Sequence, residues 1–398
     1  MKRTHKITLN PNNKQRKWFA QQVGYARWSY NQALADFKKH YDATGEYLSV
    51  GKLDKRFNAY KKEHAWTADM DQVVCSQSIY KHLGAAITNW IEKRARFPVF
   101  KKKGRKDSFS SKNGSAEVRG KWLRLPKIGW VRMFEKLRFE GKIRSWTISR
   151  TAHRWFVSIT VETEDTLAVD KTSTHPVIGI DVGINTLATC SDGSKYANPR
   201  PLKRHEKKLA KFMRVLSRRV KGSKNWHKQK DKVARLHYRI ACIREDAHHK
   251  ATTNIVNRCS GIGIETLKVT NLLKNRKIAK ALSDSALGGF LSMLKTKAEM
   301  IGIKPKEADQ FFASSKTCSR CGHKKDDLKL SERIYHCDAC GISIDRDVNA
   351  AINLRNVAVG HTETQNACGV QVRPQPEARE TEAGKVIWKQ KLLPQYKN

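Results

Sequence analysis

Ile178-Gly179-Ile180-Asp181-Val182-Gly183 and Gly261-Ile262-Gly263-Ile264-Glu265 are two versions of one pattern. In an extended strand, alternate side chains point to opposite faces. The isoleucines therefore share one face, while the glycines and the acid share the other. The isoleucine face reads as core. On the other face nothing projects until the acid, and such a cleared face is where a metal ion and a phosphate backbone approach closely. A third acidic element, Asp345-Arg346-Asp347-Val348-Asn349-Ala350-Ala351, opens a helix further on. Singly, each acid has a plainer reading, as a turn-capping residue or, for Asp347, an N-cap. Together they form a carboxylate set suited to Mg²⁺ or Mn²⁺. Two such ions about 3.5–4 Å apart activate water and stabilise the leaving oxygen of a phosphodiester.

The rest of the composition favours a polyanionic partner. Lys and Arg number 79 against 37 Asp and Glu, a formal net charge of +42 over 398 residues. Self-repulsion on that scale opposes compaction unless nucleic acid relieves it. The mean hydropathy is −0.66, no apolar run approaches twenty residues, and Met1 to Asn10 lacks a signal peptide's hydrophobic region. These features predict a folded protein of the cytoplasm, acting at nucleoid DNA. Residues 200–239 hold sixteen Lys or Arg against two acids. The segment reads as one or two long helices touching phosphates, in preference to a merely solvated face.

Nine cysteines are present. Cys75, Cys190, Cys242, Cys259 and Cys368 are scattered and read as reduced thiols, the first four in core or strand. Cys318-Ser-Arg-Cys321-Gly and Cys337-Asp-Ala-Cys340-Gly form two knuckles fifteen residues apart. Each sets two thiolates on one tight turn, and Gly322 and Gly341 let backbone N–H groups face sulfur. Four soft thiolates favour one structural Zn²⁺ over the rival reading of two disulfides. A closed four-cysteine site has no open position for substrate.

Residues 4–9 read as a strand. Phe19, Val23, Ala26, Tyr30, Leu34, Phe37 and Tyr41 recur at helical spacing and predict a long amphipathic helix from Asn12. Further helices are expected over 53–62 and 70–93. Short β segments follow to about Glu164, with Trp146 and Ile148 facing Trp155, Val157, Ile159 and Val161 across a turn at Thr151 to Arg154. Asp165 to Pro176 reads as a linker. Strands are expected over 177–181, 186–190 and 261–266, helices over 287–300 and 348–357, and a largely disordered tail from His361.

The ordered set Ile-Gly-Ile-Asp181-Val-Gly, Gly-Ile-Glu265-Thr-Leu, the paired Cys-x2-Cys-Gly knuckles and Asp-Arg-Asp347-Val-Asn-Ala-Ala resembles the transposon-encoded TnpB nucleases, which are similar to the type V CRISPR effectors. Arg96-Phe-Pro-Val-Phe-Lys-Lys-Lys-Gly, His249-Lys250-Ala-Thr and Ser314-Ser-Lys-Thr-Cys318 add to it, and the resemblance runs from residue 1 to about 356. It implies a multidomain α+β chain. A β-barrel wedge domain (1–10 and 96–170) would be interrupted by a helical recognition lobe (11–95). An RNase H-like (RuvC) α/β nuclease domain (177–313 and 343–357) would carry an inserted zinc ribbon (314–342), with a tail from 358 to 398. It also implies a transposon-derived guide RNA, one chain per RNA, recognition of a short flanking motif and cleavage of double-stranded DNA. By motif position the catalytic acids are Asp181, Glu265 and Asp347, with Asp345 the nearest rival.

Some relatives have lost an acid and act only as RNA-guided repressors; here all three positions are filled. An unguided transposon-associated nuclease is the other competing reading. Ser76, Gln77, Tyr80 and Lys81 lie on one or two adjacent helix faces. Gln suits adenine edges and Lys guanine, which makes them candidate flanking-motif readers, against the plainer reading of an ordinary polar face. Arg320, inside the first knuckle, is a candidate for steering a strand toward the acids.

Overall fold

The computed structural model describes residues 2–112, 116–164, 175–329 and 331–360. The expected tail, Cys368 and most of the expected linker lie outside the described residues. The chain opens with β1 (Lys2–Asn10), α1 (Asn13–Thr44) and α2 (Val50–Lys62). Asn12 and Gln15 exchange side-chain-to-backbone hydrogen bonds at the start of α1 as a capping box, and Gly45 ends it at φ +70°. The helix expected over 70–93 is three pieces: α3 (Gln72–Gln77), a π-helical turn (Ser78–Leu83) and α4 (Gly84–Ile91).

Four short strands and a hairpin then complete a sheet: β2 (Ser108–Lys112), β3 (Glu117–Arg119), β4 (Trp122–Leu125), β5 (Gly129–Met133), β6 (Lys142–Thr151) and β7 (Arg154–Glu162). The order is β2-β6-β7-β1-β5-β4-β3, antiparallel throughout, so β1 sits at the centre of strands that follow it by about a hundred residues. Among the described residues β2 and β3 do not pair with each other. In the β6–β7 hairpin Trp146 faces Ile159 and Ile148 faces Val157, all buried, as the alternation requires. The helices and this sheet share one core: Phe19 of α1 meets Phe109 of β2 and Trp155 of β7 at ring-centroid distances of 6.0 and 5.2 Å.

The second half is built on β8 (Val177–Val182), β9 (Thr186–Cys190) and β10 (Lys195–Ala197), then α5 (Pro201–Ser217) and α6 (Lys224–Asn257). There follow β11 (Gly261–Glu265), α7 (Val269–Leu272), α8 (Ala279–Ser285), α9 (Leu287–Met300) and β12 (Lys306–Ala308). The hairpin β13 (Ile334–His336) and β14 (Ser343–Asp345) leads into α10 (Arg346–Val359). The sheet order is β10-β9-β8-β11-β12, with β8, β11 and β12 parallel. Ile178, Ile180, Ile262 and Ile264 bury against Ile255 of α6 and Phe290, Leu291 and Leu294 of α9. Cys75, Cys190 and Cys259 are buried as expected; Cys242 is a correction, half-buried on α6. Among the described residues no helix is long and apolar enough to cross a membrane.

Candidate nuclease centre and zinc ribbon

Strands β8 and β11 run parallel in register, Gly179 beside Gly263 and Ile180 beside Ile264. The next step along each strand brings Asp181 and Glu265 side by side. The glycines have a different purpose from the one the sequence suggests. A Cβ at Gly179 would lie 1.9 Å from the Ala351 carbonyl oxygen, and one at Gly263 2.0 Å from that of Leu354. The cleared face is filled by α10, whose backbone lies directly on the two strands, and substrate has no access there. This corrects the expectation of an open, metal-accessible glycine face. What the close packing does is bring the first turn of α10, with Asp347, to the strand ends where the two acids emerge.

The paired acids on α10 divide their work. Asp345 is the N-cap: its Oδ1 accepts from the amides of Asp347 (3.0 Å) and Val348 (3.1 Å), and its Oδ2 takes Lys195 Nζ at 2.6 Å. Burial raises its pKa, but Lys195 and the two amides outweigh that and hold it below the ordinary carboxylate value. The capping role considered for Asp347 thus belongs to Asp345. Asp347 is left facing the strand ends, with Arg333 Nη1 at 4.0 Å as its ion-pair partner. Asp181 is half-buried by exposed area, yet its carboxyl is packed round by protein. That desolvation, then the charges of Glu265 and Asp347, push its pKa well above the ordinary value, against the pull of Arg346. Three carboxylates offer only oxygen donors, the ligand type that a hard divalent cation takes; among the described residues their oxygens do not all lie within 4.8 Å of one another, as the ribbon sulfurs do.

The four ribbon sulfurs all lie within 4.8 Å of one another, the only such group of three or more candidate ligands among the described residues. Cys318 and Cys340 are 3.7 Å apart and Cys321 and Cys337 3.5 Å. With Zn–S bonds of about 2.3 Å a tetrahedral edge is about 3.8 Å, so the set fits zinc, held by Cys318, Cys321, Cys337 and Cys340. The knuckles close by Gly322 N–H to the Cys318 carbonyl (3.0 Å) and Gly341 N–H to that of Cys337 (2.9 Å). Both glycines are left-handed, at φ +77° and +73°. Burial raises the Cys337 thiol, but the amides of Cys340 and Ala339 and the neighbouring thiols bring it down to about 6. Tyr335 is the ribbon's buried centre, its hydroxyl donating to the carbonyls of Lys316 and His323.

Four side chains that tie ribbon to centre had no role assigned from sequence, although three of them stand inside the quoted motifs and the fourth, Asn353, lies two residues beyond one. Asn349 Nδ2 donates to the Thr317 carbonyl (2.7 Å) while its Oδ1 accepts from the Ser319 amide (2.9 Å). Asn353, one turn on, donates to the carbonyls of Ser314 (2.8 Å) and Thr317 (2.7 Å). Arg346 Nη1 donates to the Lys329 carbonyl at 3.0 Å. Ser314 Oγ donates to Glu265 Oε1 at 2.6 Å. The sequence signal was Asn349 and Asn353, polar residues at positions i and i+4 on a helix rich in alanine and valine.

Of the candidate motif readers, Ser76 and Gln77 end α3 half-buried, while Tyr80 and Lys81 lie exposed on the π-helical turn. Arg320 is exposed at the tip of the first knuckle. The basic segment forms α5 and α6 as an antiparallel pair, and Pro201 is the one buried residue of α5.

Three family profiles match: one described as "Probable transposase" over 158–276, one as "Cas12f1-like, TNB domain" over 288–354, and one as "Helix-turn-helix domain" over 1–46. In that last stretch the structure has a strand and one long helix. The chain is 33% identical over 391 residues to the Escherichia coli (strain K12) protein named "Putative RNA-guided DNA endonuclease InsQ", covering 92% of this chain and 94% of that one. It is 36% identical over 392 residues to a Streptomyces pristinaespiralis protein named "Putative RNA-guided DNA endonuclease", at 96% and 94% coverage. Among solved structures, the Cas12f1-sgRNA-target DNA complex aligns over 89% of this chain and 99% of that one, at 18% identity and a TM-score of 0.34, an overlay too loose to carry an argument. Identity at this level along nearly the whole of both chains, together with the ordered motifs, decides the matter: the chain belongs to the transposon-encoded TnpB family.

Proposed function

We propose that the chain is an RNA-guided DNA endonuclease that hydrolyses phosphodiesters of double-stranded DNA beside a short flanking motif. The observation that carries this reading is the meeting of Asp181, Glu265 and Asp347 at one end of a sheet, in a chain of net charge +42. Magnesium or manganese, held by these three carboxylates, would activate water and stabilise the leaving oxygen of the scissile bond. The two strand acids stand on neighbouring parallel strands, so the packing of α10 alone fixes the third acid's distance from them. The adjacent central strands bearing acids also support the RNase H-like reading of this half. Cations on α5 and α6 would track the phosphate backbone of guide or target. The names of the full-length relatives support an RNA guide and a DNA target. The barrel and lobe boundaries expected from sequence, Ser76, Gln77, Tyr80 and Lys81 as motif readers, and Arg320 as a strand guide belong to the same proposal.

The test uses protein purified with its co-purifying RNA, that RNA sequenced, and a plasmid carrying the matching target within a randomised flank. Magnesium-dependent linearisation that vanishes in Asp181→Ala, Glu265→Ala and Asp347→Ala, with target binding kept, is the expected result. Binding without cleavage in the wild type would leave an RNA-guided repressor. Cleavage that survives removal of the RNA would leave an unguided nuclease.

A further inference from the structure

We propose that Ser314 is a positioning residue for Glu265, through which the zinc ribbon sets the metal affinity of the nuclease centre. The inference rests on the carboxylate site proposed above. Ser314 is 3% exposed, and its hydroxyl donates to Glu265 Oε1 at 2.6 Å. A hydroxyl hydrogen bond to a carboxylate oxygen at that length is short and strongly directional. With Oε1 engaged by Ser314, Oε2 is the oxygen that would be left to a cation, and the side chain loses the freedom that three rotatable bonds would otherwise give it.

Ser314 is itself held from two directions. Its carbonyl accepts from Asn353 Nδ2 at 2.8 Å, and Asn353 is 3% exposed on the helix that carries Asp347. Four residues on is Cys318, the first thiol of the ribbon. The intervening Thr317 carbonyl takes both Asn353 and Asn349 at 2.7 Å, and Asn349 is fully buried. A ribbon closed on zinc thus fixes Cys318. Through the asparagine-clamped turn it also fixes the hydroxyl that aims Glu265. Hydrogen-bond partners of metal-ligating carboxylates typically change metal affinity by about 10–100-fold when lost.

The experiment reads metal occupancy apart from DNA cleavage. Fe²⁺ replaces Mg²⁺ in the purified protein with its RNA, ascorbate and peroxide are added, and radical cutting of the polypeptide beside residues 181, 265 and 347 is followed as Fe²⁺ is raised. Wild type and Ser314→Thr, which keeps the hydroxyl, should be half-cut at similar Fe²⁺. Ser314→Ala should need about tenfold more. Ser314→Cys, which keeps the volume but offers only a weak donor, should follow Ser314→Ala and covers the case in which the alanine variant fails to fold. Zinc content and melting temperature of Ser314→Cys should match the wild type. An Fe²⁺ dependence unchanged in Ser314→Cys or in a folded Ser314→Ala overturns this proposal alone. Absence of cutting near the three acids in the wild type overturns the metal site, and this proposal with it.

Discussion

Gly179 lies against the Ala351 carbonyl so closely that a β-carbon would sit 1.9 Å from the oxygen. Both partners are backbone, strand against helix, so no side chain can yield to make room. Gly179→Ala should therefore push α10 off the sheet or prevent its docking, a cost above about 3 kcal/mol by the usual scale of core overpacking and backbone clash. Gly263→Ala, 2.0 Å from the Leu354 carbonyl, should behave alike. Gly289→Ala, on α9 with nothing within 4 Å, is the control and should melt like the wild type. Thermal melts of the three variants check the ranking; equal melting temperatures would contradict the packing described for α10.

Asp345 and Asp347 should separate by phenotype. Asp347→Ala is expected to reduce cleavage to background with target binding kept. Asp345→Ala removes the cap of α10 and the Lys195 contact, so it should lose about 1 kcal/mol of stability while still cutting. Parallel cleavage assays and melts decide this; an inactive Asp345→Ala beside an active Asp347→Ala would reverse the assignment.

Purified protein should carry about one zinc per chain through a magnesium-free wash, because four converging thiols are held together by a metal and not by their own packing. Cys337→Ser should lose that zinc and open residues 314–342 to protease. Elemental analysis showing no zinc, or an iron–sulfur absorption spectrum, would contradict the tetrahedral site.

His82 gives the first half a pH dependence. It sits on the π-helical turn with Nε2 at 3.3 Å from Ser110 Oγ of β2, and burial first, then Lys101 and Lys81, lower its pKa to about 4. A folded pKa below the unfolded value of about 6.5 means that the unfolded chain binds the proton more readily between those values. Stability from this group is therefore full above about 6.5 and is lost as pH falls toward 4. After discounting for partial exposure the loss is ~2 kcal/mol. Melts from pH 7 to 4.5 should show a shallower decline in His82→Gln than in the wild type.

How far the sequence reached depended on the range of the interaction. Alternation and helical spacing are local, and they located β1, α1, α2, the β6–β7 hairpin and β8 to within a few residues. The knuckles were equally legible, since metal geometry is written in short spacings. What failed was reading which partner a cleared face receives: Gly179 and Gly263 announced a close approach, but only the tertiary fold reveals that α10 fills it. The break at Ser78–Leu83 was invisible because one six-residue turn of i→i+5 bonding is too short to be told from α-helical spacing. Asp345 and Asp347 could not be told apart without the cap geometry, and the Ser314–Glu265 bond joins residues forty-nine positions apart.

The guide RNA should be part of the folded particle. Sixteen Lys or Arg lie in residues 200–239, and among the described residues the acids of α5 and α6 that form ion pairs are Glu206, paired with Lys280, and Asp246, paired with Lys250. Pro201 is the one buried residue of α5, so that helix turns its cations outward. Phosphates set against such a face release condensed counterions, and affinity then falls steeply with salt. Six to ten contacts lose about 10³–10⁵ in affinity between 50 and 200 mM. A ligand that binds only the folded chain adds about 2.7 kcal/mol of stability at a hundred times its dissociation constant. The co-purifying RNA should therefore raise the melting temperature by several degrees at low salt and much less at high salt. Equal melting temperatures with and without that RNA would refute the claim. Equal stabilisation by an unrelated RNA of the same length would keep the electrostatics and remove the specific guide.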